Sequence, residues 1–251
     1  MTSFAVNMPS SIASGDLLIA LVEVRIGTTW TPASGWNSIS TLSQAGGGGV
    51  GKLDGWYKIA SGTESGTTPT FTTVNATTAQ FHVHRITGWH GTSPPEATTS
   101  SGDVSAANPP SLTPSWGADD TLWLAIGGHT AQSLTPWTAA PSGYSGFQMN
   151  GASAGGGIAA LASSYKQNNS ASEDPGAFTL NTPSSSNNRY WAAATIAVRP
   201  SAGGGGGTTG QMKVWDGSTF AAKPVKVWDG SAWQTKPVKV WDGSAWVSTG
   251  Y

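Results

Sequence analysis

The chain has no cysteine and few charged side chains, and both absences restrict what it can be. With no cysteine in 251 residues, neither a disulfide nor a thiolate metal site can form. Charged residues make up 10% of the sequence, against roughly 25% in an average domain. The 12 basic residues are scattered and the net charge is −1, so the basic clusters that nucleic acids and anionic membranes require are missing. We therefore expect no nucleic-acid partner.

Long apolar runs and a basic leader segment are also missing. The first apolar run, Leu17 to Val24, is interrupted by Glu23, and no run approaches the roughly 18 residues of a membrane span. The first residues lack the positive charges that open a signal peptide. We therefore expect the protein to be made in the cytoplasm and not to insert into a membrane. The alternative is a secreted protein whose signal peptide has been removed.

Glycine, hydroxyl residues and tryptophan are abundant instead. The 34 Gly and 15 Pro separate short runs of β-branched and aromatic residues, which is the pattern of an all-β fold. An Ala-rich run over 157–164 has helical propensity, but it matches a strand elsewhere in the chain and is predicted as a strand. The predicted strands are Phe4–Met8, Leu17–Ile26, Gly55–Ile59, Thr70–Thr73, Ala79–Thr87, Thr121–Gly127, Ile158–Tyr165, Phe178–Leu180 and Tyr190–Val198.

Residues 1–200 contain an internal sequence match. The segment 30–36, Trp-Thr-Pro-Ala-Ser-Gly-Trp, resembles 137–144, Trp-Thr-Ala-Ala-Pro-Ser-Gly-Tyr, and an ordered series of such matches indicates a duplicated architecture. Each half has an apolar face that the other half must cover, so we predict an internally duplicated, jelly-roll-like β-sandwich of two sheets. The tryptophans expected in its core are Trp30, Trp36, Trp56, Trp123 and Trp137.

The C-terminal fifth of the chain has a different composition. Residues 201–210 are a Gly-rich linker, and residues 211–251 carry three copies of a 13-residue repeat with the core Lys-Val-Trp-Asp-Gly-Ser. Asp-Gly between short apolar strands is a strong hairpin signal. We therefore predict three consecutive segments: a sandwich domain (1–200), a linker (201–210) and β-hairpin repeats (211–251) that serve assembly or attachment.

The predicted hairpin has a two-residue loop. With Asp242-Gly243 as that loop, Trp241 lies opposite Ser244 and Lys239 lies opposite Trp246. Lys239 over the Trp246 ring would contribute about 0.5–1 kcal/mol.

A lone two-stranded hairpin is marginal in water, so the repeats must pack on their own chain, on copies or on a partner. Alternatively, their tryptophans stay open and stack on sugar rings, or the segment is a disordered adhesive tail. The residues expected in this assembly or glycan contact are Trp215, Trp228, Trp233, Trp241, Trp246, Lys226 and Lys239.

The sequence shows no constellation typical of catalysis. His82 and His84 flank one residue of a predicted strand, so they point to one face and offer two zinc ligands, but no third ligand is fixed nearby. We interpret them as interface or surface histidines. Carboxylates are sparse and no nucleophile elbow is present. We therefore predict no catalytic residue, no metal site, no cofactor and no enzymatic activity.

Four segments of the first 200 residues carry a family resemblance. They are Gly-Asp-Leu-Leu (15–18), Trp-Thr-Pro-Ala-Ser-Gly-Trp (30–36), Trp-Tyr-Lys-Ile-Ala (56–60) and Ala-Ala-Ala-Thr-Ile-Ala-Val-Arg-Pro (192–200). Together they resemble β-sandwich domains of bacteriophage tail and head-appendage proteins. The repeat Lys-Val-Trp-Asp-Gly-Ser-x-Trp is similar to C-terminal repeats in minor tail proteins of phages, notably those of actinobacterial hosts.

The resemblance implies a virion structural protein of the tail, at its tip or on a fibre or spike. It implies a homo-oligomer, in particular a trimer, in contact with other virion proteins and with host cell-surface glycan. Such a protein is made in the host cytoplasm and released by lysis. The alternatives are a capsid-decoration or head-fibre protein and a carbohydrate-binding adhesin; a secreted hydrolase would require an acidic dyad that the sequence does not show.

Overall fold

A computed structural model describes most of the chain. In the first part it describes residues 2–26, 28–45, 51–75, 77–103, 106–130, 136–154, 157–181 and 190–201. Further on it describes residues 212–215, 217–218, 220–223, 226–235, 239–241 and 246–248. The chain divides into two compact units, Met1–Ser201 and Ala202–Tyr251, here called the body and the C-terminal unit.

The first large sheet of the body has four antiparallel strands in the order β4-β5-β2-β7. Its strands are β2 (Leu17–Val24), β4 (Asn37–Ala45), β5 (Lys52–Ile59) and β7 (Ala79–Ile86). A small sheet in the order β1-β6-β3 consists of β1 (Thr2–Ala5), β3 (Trp30–Thr31) and β6 (Thr70–Thr73).

The second large sheet has five antiparallel strands in the order β11-β12-β9-β14-β8. Its strands are β8 (Glu96–Asp103), β9 (Asp119–Thr130), β11 (Ser145–Ala154), β12 (Gly157–Ser170) and β14 (Tyr190–Val198). A two-stranded sheet pairs β10 (Trp137–Ala139) with β13 (Thr179–Leu180). The order β4-β5-β2-β7 thus has a counterpart in β11-β12-β9-β14, with β8 added beside β14.

The central strand of the first sheet is buried on both faces. Leu17, Ile19 and Leu21 of β2 face the second sheet in one core cluster, because alternate side chains of a strand point to opposite faces. Leu18 and Ala20 pack on the other face, in a second cluster formed with the small sheet. Such two-sided burial explains why β2 is a nearly continuous apolar run rather than an alternating one.

The structure confirms the predicted all-β class, with two large sheets packed face to face as in a β-sandwich. No α-helix occurs in the ranges that the structure describes, and therefore none that is long and apolar enough to cross a membrane. The five tryptophans expected in the core are all buried, which confirms their packing role: Trp30, Trp36, Trp56, Trp123 and Trp137.

Candidate functional site

The C-terminal unit forms three separate two-stranded antiparallel sheets, one in each repeat. Its strands are β15 (Met212–Trp215), β16 (Phe220–Lys223), β17 (Lys226–Trp228), β18 (Trp233–Thr235), β19 (Lys239–Trp241) and β20 (Trp246–Ser248). The hairpins are therefore present as the Asp-Gly signal predicted.

The register of these hairpins differs from the prediction. In the third repeat Trp241 pairs directly with Trp246, and Lys239 pairs with Ser248. The predicted placement of Trp241 opposite Ser244 and of Lys239 opposite Trp246 is therefore wrong. Four residues rather than two therefore separate the paired positions, and the last strand residue before Asp-Gly faces the first aromatic residue after it. The same register pairs Trp215 with Phe220 in the first repeat.

The side chain of Asp229 explains the longer loop in the second repeat. Its Oδ1 accepts hydrogen bonds from the Ser231 and Ala232 backbone N–H groups, both at 2.8 Å, and from the Ser231 hydroxyl at 3.0 Å. These bonds form an Asx turn, and Gly230 supplies a positive φ of 104°. The bonds from Ala232 and Ser231 lower the pKa of the Asp229 carboxyl to about 2, so the turn keeps its charged acceptor at neutral pH.

The loop brings two indole rings together across the second hairpin. Trp228 and Trp233 are paired directly, and their ring centroids lie 5.7 Å apart at an interplanar angle of 61°. Edge-to-face aromatic pairs of this kind contribute about 0.5–1.5 kcal/mol beyond their buried area. The pair therefore stabilises its own hairpin.

Much of this aromatic surface remains open to solvent. Trp215 is 55% exposed, Trp228 51% and Trp233 64%. Val227, on the opposite face of the second hairpin, is also exposed, so this hairpin presents apolar groups on both sides. Large exposed apolar patches are typical of surfaces that bind other molecules, which makes this hairpin the candidate site.

The remaining predicted site residues are only partly placed. Lys226 is exposed and pairs with Thr235 rather than with an aromatic residue. For Lys239, Trp241 and Trp246 the strands are described, but the side chains lie outside the described residues. The site that the structure supports is therefore the exposed aromatic set of the first two repeats.

The body contains a buried hydrogen bond between His82 and Ser163 that the sequence does not reveal. His82 Nδ1 and Ser163 Oγ are hydrogen-bonded at 3.0 Å across the two large sheets. The His84 ring lies 6.3 Å from the His82 ring, and the Nε2 atoms of both rings are buried without a hydrogen-bond partner. Burial lowers the pKa of each imidazole to about 4, so both are neutral at pH 7. Of the two predicted placements of His82, at an interface or on the surface, the surface one is wrong, because His82 is 5% exposed.

A buried carboxyl group lies at the same interface between the sheets. Glu23 on β2 is almost fully buried, and its Oε2 has no hydrogen-bond partner. A Cβ atom on Gly128 would lie 2.1 Å from that oxygen, so glycine at this position of β9 makes room for the carboxyl. Burial, with a smaller contribution from Asp54, raises the pKa of Glu23 well above its ordinary value.

Glu23→Gln will raise the free energy of unfolding at pH 7, because the buried carboxyl must hold a proton that the unfolded chain gives up, and the amide has no such requirement. A carboxyl whose pKa is raised on folding favours the native state below its unfolded pKa, and that contribution is lost as the pH rises. The gain from the amide must therefore shrink as the pH falls toward 4.5, the ordinary value. Urea unfolding of both proteins from pH 4.5 to 8 measures it, and parallel stability curves would contradict the assignment.

A cleft of about 360 Å³ is lined by Tyr57, Pro95, Glu96 and neighbouring residues. Its one carboxylate, that of Glu96, accepts hydrogen bonds from the Ser115 backbone N–H and hydroxyl, and no second acidic residue lines it. In the described part of the chain, no group of three or more His, Asp or Glu side chains is placed to bind a metal ion.

No protein-family model, no curated protein and no solved structure matches the chain. The features that bear on function are therefore the exposed aromatic residues of the C-terminal unit, the packing of the body and the sequence motifs described above.

Proposed function

We propose that the chain is a structural protein of a bacteriophage virion, associated with the tail, and that its C-terminal unit attaches it to other molecules. The observation that carries the proposal is the exposed aromatic surface of Trp215, Trp228 and Trp233, repeated on tandem hairpins. The body serves as the rigid part, because both faces of its central strand are buried. The attachment partners are copies of the same chain, in a trimer, other virion proteins and host cell-surface glycan.

We also propose that the body arose by duplication of one β unit into a jelly-roll-like sandwich. The support is the shared strand order of β4-β5-β2-β7 and β11-β12-β9-β14, together with equivalent aromatic positions. Trp30 and Trp137 each begin a strand of a small sheet that covers a large one. A duplicated body gives two similar halves that bury each other, which suits a particle component.

Replacing Trp228 and Trp233 together by alanine in the full chain will weaken self-association by about tenfold or more, since central aromatic residues dominate most interfaces. Sedimentation velocity over a range of concentrations measures the change. The matched control is Val74→Ala, which removes an exposed apolar side chain from the body and should leave association unchanged. Equal association of all three proteins would remove the assembly role of the hairpins.

A second candidate is a carbohydrate-binding adhesin, favoured by the open indole rings of the same two residues. Full-length protein and the Trp228/Trp233 double variant would be tested for co-sedimentation with purified host cell-wall polysaccharide. Loss of binding with unchanged self-association favours the adhesin, and the reverse favours assembly. A capsid-decoration or head-fibre role differs only in where the chain sits on the particle, which labelling of particles decides.

A further inference from the structure

We propose that the outer edge of β11 is a second contact between copies of the chain, at which two β11 strands pair antiparallel and join their five-stranded sheets. An edge strand presents a row of unpaired backbone N–H and C=O groups that another strand can use. This contact lies in the body. It therefore goes beyond the proposed role of the C-terminal unit and does not depend on it.

The other edges of the two large sheets are occupied or protected. The edges β4 and β8 face each other: the Gln44 amide donates to Ser101 Oγ at 3.2 Å, and the Thr99 hydroxyl donates to Gln44 Oε1 at 3.0 Å. The remaining edge, β7, carries Arg85, which is paired with Asp16, and lies against β12. Charged side chains and covering strands are the usual means of blunting a sheet edge.

Among the described residues, β11 has neither a charged side chain of its own nor a strand that covers its outer side. Its ten residues, Ser145–Ala154, include no charged residue and no proline, and none of the strands described in the body pairs with its outer side. A register shift between Ser145 and Gln148 interrupts one end and leaves a regular run over 148–154. Two antiparallel copies of one strand are related by a twofold axis, so each offers the other the same row of N–H and C=O groups. Because this run carries no charge, the two copies also meet without like-charge repulsion.

The side chains of β11 also indicate an overhanging strand. Since β12 rather than β11 makes most of the contact with β7, β11 extends past the first sheet. Gln148 and Asn150 share the face of β11 that points toward that sheet, yet both are exposed. On the other face Phe147 and Met149 pack only partly against the cluster around Trp137. A second β11 would continue both faces of the sheet and cover these side chains further.

Because the chain has no cysteine, single-cysteine variants test this pairing directly. Gln148→Cys, Asn150→Cys, Ala152→Cys and Ser153→Cys are made in the full chain and oxidised, and disulfide-linked dimers are quantified on non-reducing gels. Antiparallel copies cross at one point, and each residue of distance from it separates the two cysteines by about 7 Å more. Cross-linking should therefore be strongest at the one or two positions nearest the crossing point and fall several-fold at the positions farthest from it. Thr179→Cys, exposed on β13, is the control.

The result that overturns the proposal is cross-linking no stronger than that of Thr179→Cys at all four positions. Equal cross-linking at all four would also overturn it, because it indicates parallel or random contact. In the Trp228/Trp233 double-alanine variant, Asn150→Lys, which places like charges near each other, should lower the dimer fraction at least tenfold in sedimentation; no change would contradict the pairing.

Repeating the scan in the Trp228/Trp233 double-alanine variant separates this contact from the hairpins. An unchanged cross-linking profile supports an independent β11 interface, even if the hairpins prove to have no assembly role. Loss of the profile in that background would overturn the claim that the body pairs by itself.

Discussion

Alanine in place of Trp30 or Trp137 will lower the free energy of unfolding by about 3–5 kcal/mol, the range for removing a large aromatic side chain from a core. Trp30 is 8% exposed and Trp137 2%. The Trp30 ring packs edge-on against Trp56 with centroids 6.3 Å apart, and the Trp137 ring lies 5.5 Å from that of Phe178. Each ring fills the space between a large sheet and the small sheet that covers it.

Urea unfolding followed by circular dichroism measures both losses, and the proposed duplication requires that they be similar. Val74→Ala is the control, because it removes an exposed apolar side chain from the same body. The control should change stability by less than about 0.5 kcal/mol. A large loss at one of the two core positions with none at the other would argue against equivalent halves.

Acidification from pH 6.5 to 4 will destabilise the body by about 2–3 kcal/mol for each of His82 and His84. Burial lowers the pKa of both imidazoles to about 4 in the folded state, against an ordinary value of 6.5. The stability that the neutral rings permit is therefore complete above pH 6.5 and is lost as the pH falls toward 4. The charged form would have to be solvated between the two large sheets, beside Ser163.

The measurement is the unfolding free energy of the wild type, His82→Gln and His84→Gln at intervals between pH 4 and 7. Each variant should be less stable at pH 7 but should lose less stability on acidification than the wild type. Val74→Ala, which changes an exposed side chain without a titratable group, is the control and should keep the wild-type slope. Glu23 acts in the opposite direction, since acid removes its penalty, so the slopes are best compared in the Glu23→Gln background. Identical slopes would contradict the assignment.

The sequence predicts the apolar strands of the fold well. The segments Thr70–Thr73 and Tyr190–Val198 were predicted with the bounds that the structure gives to β6 and β14. The Ala-rich run is strand β12 of the second sheet rather than a helix, and its small side chains are buried there. Matching it to the other half of the chain gave the right result where propensity alone would not.

Three strands rich in serine, threonine and glycine escaped prediction: β4, β8 and β11. All three lie at sheet edges, where backbone pairing with a neighbour defines the strand and side chains add little apolar burial. Strand propensity depends on packing against such neighbours, and the neighbours are distant in sequence. The same limit hid Ser163, whose partner His82 is 81 residues away.

The candidate site was predictable in composition but not in geometry. The Asp-Gly pairs indicated the hairpins, yet the Asp229 carboxylate binds backbone N–H groups of the loop and lengthens it, which a turn preference alone does not convey. Residue type also did not decide exposure, because Trp30 is buried and Trp233 is open to solvent. What differs is the presence of a large sheet against which the first ring packs.

Gold-labelled antibodies against the body, applied to purified phage particles from lysates of the cells that carry the gene, test the virion role most directly. A structural protein of the tail should give gold at one fixed position on the tail, in several copies per particle, in negative-stain electron micrographs. Particles without label, with the protein recovered only from the unassembled fraction of the lysate, would contradict it.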